Sequence, residues 1–176
     1  MSNASKAKGT RMESAIVRAI NEYAGYKVAE RVALHGNKDQ GDIRLDLGDM
    51  VLTIESKCSK TYPTEGEFER FKQQTVDENE NACQDGGVLI VNLPGKSVSR
   101  YECWMQFSTL CRLRARMVGL DLESLPEPFY TNSQRMLRMG ESHWIMCRFS
   151  HFLSEYVGHY TDRQTTDWTE IDRQDY

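Results

Sequence analysis

Long apolar runs are missing from this sequence. The most sustained, residues 88–93 and 50–54, fall far short of the roughly 20 residues needed to cross a bilayer, and the first ten residues are polar. Nothing marks export or membrane insertion, so a cytoplasmic protein is expected. Cysteine pairing is missing too: Cys58, Cys83, Cys103, Cys111 and Cys147 are odd in number, scattered, and nowhere spaced as C-x-x-C. That pattern fits neither a disulfide framework nor a zinc knuckle, and it reads as reduced thiols serving as small buried hydrophobes. The third thing missing is a surplus of positive charge, since the formal net charge is −4. The average hides an uneven distribution. Residues 1–60 hold ten Lys/Arg against eight Asp/Glu, 61–95 two against seven, 96–120 five against one, and 121–176 five against ten. Cations are concentrated in two stretches, so the field at a working face need not follow the total. What remains, 39% apolar residues in a chain of 176, is enough for one domain with its own core.

Along the chain, Met12, Ala15, Ile16, Ala19, Ile20 and Tyr23 recur at helical spacing, predicting an amphipathic helix over 10–24 with Thr10 as N-cap and Gly25 as its stop. Residues 26–34 read as a strand, and 35–40 as a loop. Ile43, Leu45 and Leu47 alternate with polar residues, and Gly48-Asp49 turns the chain into a second strand over 50–58, which makes an antiparallel hairpin. Phe68, Phe71, Thr75 and Val76 mark a surface helix over about 65–83, ended by Gly86-Gly87. Val88–Val91 reads as a strand buried on both faces. Beyond residue 95, a strand over 101–107 leads to a basic helix with Leu110, Leu113, Met117 and Val118 facing in and Arg112, Arg114 and Arg116 facing out. Residues 120–133 read as a loop, 143–149 as a strand and 150–160 as a helix, and the polar stretch 161–176 as a frayed tail. The stretches 104–110 and 145–152 echo each other, as any two strands running into Ser-capped helices would.

The chemistry lies on the hairpin. Glu55 and Lys57 are two residues apart on a strand and emerge on the same face. Asp42 opens the preceding strand, and antiparallel pairing brings it opposite positions 55–57. Two carboxylates beside an amine, with the backbone carbonyl of Ser56 at hand, are donors suited to Mg²⁺ or Mn²⁺. Such a site hydrolyses phosphodiesters: the ion polarises the phosphoryl group and activates water, while Lys57 orients that water or balances charge. Glu13, at the edge of the first helix's apolar face, is a further candidate ligand, directly or through water.

Lys8-Gly9-Thr10-Arg11-x-Glu13, then Gly41-Asp42-Ile43, then Ile54-Glu55-Ser56-Lys57 resemble the PD-(D/E)XK nuclease superfamily, and within it the archaeal-type Holliday junction resolvases. The resemblance covers roughly residues 6–95, including the thirteen-residue step from Asp42 to Glu55. It implies an α/β fold with a restriction-endonuclease-like core in the order α-β-β-β-α-β, a mixed sheet flanked by helices. Residues 1–95 would form that core, 96–160 a C-terminal α/β extension packed on it, and 161–176 a tail. It implies a homodimer that binds four-way DNA junctions and cuts them with Mg²⁺ or Mn²⁺. Glu13, Asp42, Glu55 and Lys57 match the family's catalytic positions, and Arg31 matches a DNA-contacting one. The chain departs from the pattern at Ser14, where arginine is common, in a longer loop before Asp42, and after about residue 96.

Each residue also has a plainer reading. Glu55 and Lys57 can be a solvated charge pair, Asp42 turn chemistry, and Glu13 a first-turn acid that complements the helix dipole. Their coincidence on one face in the family's order favours a nuclease. Lys6, Lys8 and Arg11, placed near a helix N-terminus, join Arg31, Lys38 and Lys60 as candidate DNA contacts. Arg112, Arg114 and Arg116 read first as a solvated helix face, and Cys147 and His151, four apart, as structural residues without a second pair to hold a metal. Two alternatives stay open: a sequence-specific or repair endonuclease on duplex DNA, and a non-catalytic DNA-binding protein of the same fold.

Overall fold

Ile43 and Leu45 are fully buried, while Arg44 and Asp46 between them are partly exposed. This strand, β2 (Ile43–Asp46), pairs antiparallel with β3 (Val51–Lys57), Ile43 meeting Ile54 and Leu45 meeting Leu52. A slip of β2 by one residue would turn both Ile43 and Leu45 to the other face, which is why the pairing is specific. Gly48 closes the hairpin at φ +83°, a conformation that favours glycine.

The computed structural model describes residues 3–33, 39–120 and 143–161. In it six strands form one sheet in chain order: β1 (Ala29–Arg31), β2, β3, β4 (Gly86–Val91), β5 (Glu102–Gln106) and β6 (Trp144–Arg148). All neighbours are antiparallel except β3 and β4, which run parallel because α2 (Glu65–Ala82) carries the chain back between them. The expected α-β-β-β-α-β order is present, and β5 and β6 add to the same sheet. One face, with Ile43, Leu45, Leu52, Ile54, Val88, Ile90, Cys103 and Met105, is covered by α1 (Asn3–Ala24), by α3 (Phe107–Met117) and by a helical run, α4. That run begins as Phe149–Phe152, widens to a π-helix over Leu153–Val157 and ends as Gly158–Thr161. The other face carries Leu89 and Val91 under Phe68 of α2, with Phe71, Trp104 and Trp144 around them. Among the described residues no helix is long and apolar enough to cross a membrane.

Several boundaries differ from those read in the sequence. The first helix starts at Asn3, so Thr10 is an interior residue whose carbonyl accepts from the Ser14 hydroxyl (2.8 Å) and is not the cap. Ala4, Lys6, Ala7 and Lys8 are strong helix formers and extend it. Lys8 and Arg11 therefore sit inside the helix, not at its N-terminus. The strand expected over 26–34 shrinks to Ala29–Arg31, because the Asn21 side chain takes the Val28 and Ala29 N–H groups (2.8 Å each). Helix α2 ends not at Gly86-Gly87 but at Cys83, which is left-handed (φ 52°) and exposed, so Cys83 is no buried hydrophobe. The two glycines lie inside β4 because there is no room for a side chain: a Cβ on Gly86 would stand 2.5 Å from Thr109 Cγ2, and one on Gly87 2.9 Å from Thr75 Cγ2. Val118, expected to face in, is exposed. Helices α3 and α4 do follow directly from β5 and β6, but Gln106 and Arg148 hold the cap positions, with Ser108 and Ser150 inside the helices. Cys103 and Cys147 stand opposite each other across β5 and β6. The expectations for residues 34–38, 121–142 and 162–176 lie outside the described residues.

Candidate active site

The hairpin register delivers the expected meeting. Ile43 pairs with Ile54, and the ladder continues one step through the Asp42 N–H to the Ile54 carbonyl (3.1 Å) and the Val32 N–H to the Asp42 carbonyl (2.9 Å). Asp42 thus stands opposite Glu55, and residues so placed have Cβ atoms about 4.5–5.5 Å apart. The backbone before Asp42 can follow this path only at Gly41 (φ +84°), where a Cβ would meet Thr53 Cγ2 at 2.5 Å. Asp42 Oδ2 is fixed by two donors, the Ser56 N–H (2.9 Å) and the Ser56 hydroxyl (2.8 Å).

Glu55 is buried, and Lys57 donates to its Oε1. Two residues of α2 complete the cluster, and neither was expected from the sequence. Gln74 accepts from Lys57 Nζ (2.8 Å) and donates to Glu55 Oε1 (3.2 Å) and Glu78 Oε1 (2.6 Å). Glu78 is buried and within hydrogen-bonding reach of Glu55, yet among the described residues no donor serves its Oε2. The signal was present: counting on from Phe71 by three and seven lands on Gln74 and Glu78, so polar residues continue the core-facing stripe of α2.

Burial, and then the charge of Asp42, push the Glu55 carboxyl up to about 9 despite the Lys57 ammonium beside it. Burial likewise raises Glu78. Two buried carboxyls in contact must share either a proton or a cation. Oxygens of the kind a hard divalent cation takes are present on Asp42 and Glu55, which stand opposite each other, and on the Ser56 carbonyl between Glu55 and Lys57. Among the described residues no three His, Cys, Asp or Glu side chains form a ready-made ligand cluster.

Glu13 and Arg31 are brought to each other. Arg31 Nη2 and Nε both donate to Glu13 Oε2 (2.6 and 2.7 Å), closing the edge of the sheet beside Asp42. Burial and the Asp42 charge raise the Glu13 carboxyl, and Arg31 opposes them. Of the other basic candidates, Lys8 donates to the Ser59 carbonyl (3.4 Å), Arg11 and Lys60 are exposed, Arg112 is partly buried, and Arg114 and Arg116 are exposed on α3. His151 is exposed while Cys147 packs against the core, so these two form no site. Lys38 and the side chain of Lys6 lie outside the described residues.

No family model matches the chain, and no curated protein does. Among solved structures the chain is similar to Archaeoglobus fulgidus Hjc, a Holliday junction resolvase from an archaeal hyperthermophile. The identity is 25% over 55% of this chain and 70% of that one, with a TM-score of 0.39. A superposition that loose assigns no residue a role.

Proposed function

We propose that this protein is a divalent-metal-dependent endonuclease acting on DNA phosphodiesters, with Asp42 and Glu55 as metal ligands. The observation that carries the reading is the pairing of Asp42 with Glu55 across the hairpin, next to the Lys57 amine. Bound there, Mg²⁺ or Mn²⁺ would supply charge neutralisation at the phosphoryl group and a more acidic water. The chain's own groups do the rest. Ser56 holds one oxygen of Asp42 in place, Gln74 holds Glu55 and Lys57 in a fixed relation, and Lys57 carries the positive charge that orients water and balances the transition state. Glu13, tied to Arg31, adds negative charge at the rim and could reach the ion through water. Arg31 serves the site first by holding Glu13.

The substrate we infer is branched DNA cut by a homodimer, in the manner of a Holliday junction resolvase. The support is the resemblance carried by residues 8–13, 41–43 and 54–57. Cleavage of a synthetic four-way junction and of a linear duplex of the same sequence, each with and without Mg²⁺, tests the reading. Asp42→Asn and Glu55→Gln are expected to lower single-turnover cleavage about 1,000-fold while DNA is still bound. Unchanged cutting by either variant would remove the site. Preferential cutting of the duplex would keep the nuclease and discard the junction, and sedimentation of the intact protein with DNA reads the stoichiometry.

A further inference from the structure

A groove of about 690 Å³ runs between the outer flank of α1 and the loops that leave the ends of β3 and β4. Lys8, Arg11, Arg18, Lys60 and Lys96 line it, and among the described residues no aspartate or glutamate does. In a molecule of net charge −4 this is a marked local reversal. A cleft lined by one sign of charge raises the local concentration of anions.

The walls are preformed. Asn92, buried at the end of β4, accepts from the Ser59 N–H (2.7 Å) and donates to the Ser59 carbonyl (3.2 Å), fixing the turn that presents Lys60. Arg11, Ser14, Ala15 and Arg18 line one side of α1 at helical spacing, away from the flank that carries Glu13. Arg11, Arg18, Lys60 and Lys96 are exposed and spread over both walls. A small anion is better held by buried, converging donors, whereas separated, exposed cations match an extended polyanion.

We propose that this groove is the track of a DNA backbone, holding phosphates with Arg18 and Lys96 in addition to Lys8, Arg11 and Lys60. Its β3 wall starts at Cys58, one residue after Lys57, so the groove opens at the same end of β3 as Glu55 and Lys57. The proposal rests on the nuclease reading for its direction and on the groove for its contacts.

The test is binding of a fluorescein-labelled four-way DNA junction to the full chain in EDTA, followed by anisotropy across a KCl series. Arg18→Glu and Lys96→Glu are compared with Lys27→Glu, which makes the same charge change before β1, near Gly48 and at the other end of β2 from Asp42. Each groove variant is expected to weaken binding at least about fivefold and to lower the slope of log affinity against log salt by about 1. Lys27→Glu is expected to stay within about twofold of the parent. Melting temperatures equal to that of the parent verify that the variants are folded. Groove variants that bind with the affinity and slope of Lys27→Glu overturn the proposal. If the parent cuts no DNA in Mg²⁺ but the two variants still bind more weakly, the nuclease reading falls and the groove stands. If the parent cuts and the variants bind normally, the groove alone falls.

Discussion

Gln74 contacts all three of Lys57, Glu55 and Glu78, accepting from the amine and donating to both carboxyls. On the nuclease reading it is a positioning residue. Gln74→Ala is expected to lower the cleavage rate about 10- to 100-fold while leaving the DNA dissociation constant unchanged, a split that single-turnover kinetics resolves. Loss of binding and rate together would make its role merely structural. Gln74→Glu is expected to be worse, because it removes the donor and sets a third carboxylate against Glu55 and Glu78.

The Glu55 carboxyl also sets a pH dependence. It is pushed from the ordinary 4.5 up to about 9, and Glu13 and Glu78 are raised as well. A group whose pKa is higher folded than unfolded binds its proton more tightly in the native state. Its contribution is complete below about pH 4.5 and is lost as pH rises toward 9. Without metal the melting temperature should therefore fall over that window. Mg²⁺, which binds the carboxylate form, should restore more at pH 8.5 than at pH 5.5. Melts of the parent and of Glu55→Gln in EDTA check this: an equally steep fall in the variant would show that Glu55 is not the group responsible.

At the scale of elements, α2 begins with a reciprocal cap. Glu67 N–H donates to the Thr64 hydroxyl (3.4 Å), and the Thr64 N–H donates to Glu67 Oε2 (2.9 Å). Thr64→Ala should lower stability by about 1 kcal/mol in denaturant titration. Strand β4 is held close to α3 by the missing side chain of Gly86. Gly86→Ala should lower stability by about 1–3 kcal/mol through overpacking, and Thr109→Ala in the same chain should recover part of it, since the two atoms nearest the new methyl are then gone. An additive double mutant would place the strain elsewhere.

The elements also divide into those legible in sequence and those not. The β2–β3 hairpin could be read because alternation and a Gly turn fix both register and face, and that register is what puts Asp42 opposite Glu55. Strand β4 could be read from its unbroken apolar run. Thr10 and Gly86-Gly87 were misread because each looks like a local stop signal, while the actual choice was made by neighbouring helix formers in one case and by Thr109 and Thr75 in the other. Gln74 and Glu78 were missed because polar residues on a helix pass for surface until the sheet beneath them is known. The pairing of Arg31 with Glu13 was likewise invisible, since it joins two elements through side chains eighteen residues apart.

For the whole molecule, the described residues beyond 95 are not a detachable appendix in space. Strand β5 pairs with β4 along Val88–Val91, and Phe149, Phe152, Leu153, Tyr156 and Val157 belong to the same buried cluster as Ile16 and Ile20 of α1. A chain ended after Pro94 should therefore lack cooperative unfolding in calorimetry, because it uncovers one edge of β4 and much of the apolar face beneath it. A sharp melt from that fragment would mean that the hairpin, α1 and α2 suffice.

The contact between α1 and α4 has a bearing on synthesis. Ile16 and Ile20 leave the ribosome early, and Phe152 and Val157, which help to shield them, emerge more than a hundred residues later, roughly 7–27 s at bacterial to eukaryotic elongation speeds. Through that interval the apolar face of α1 has only the early strands to lie against, and α4 is the late piece that finishes its cover.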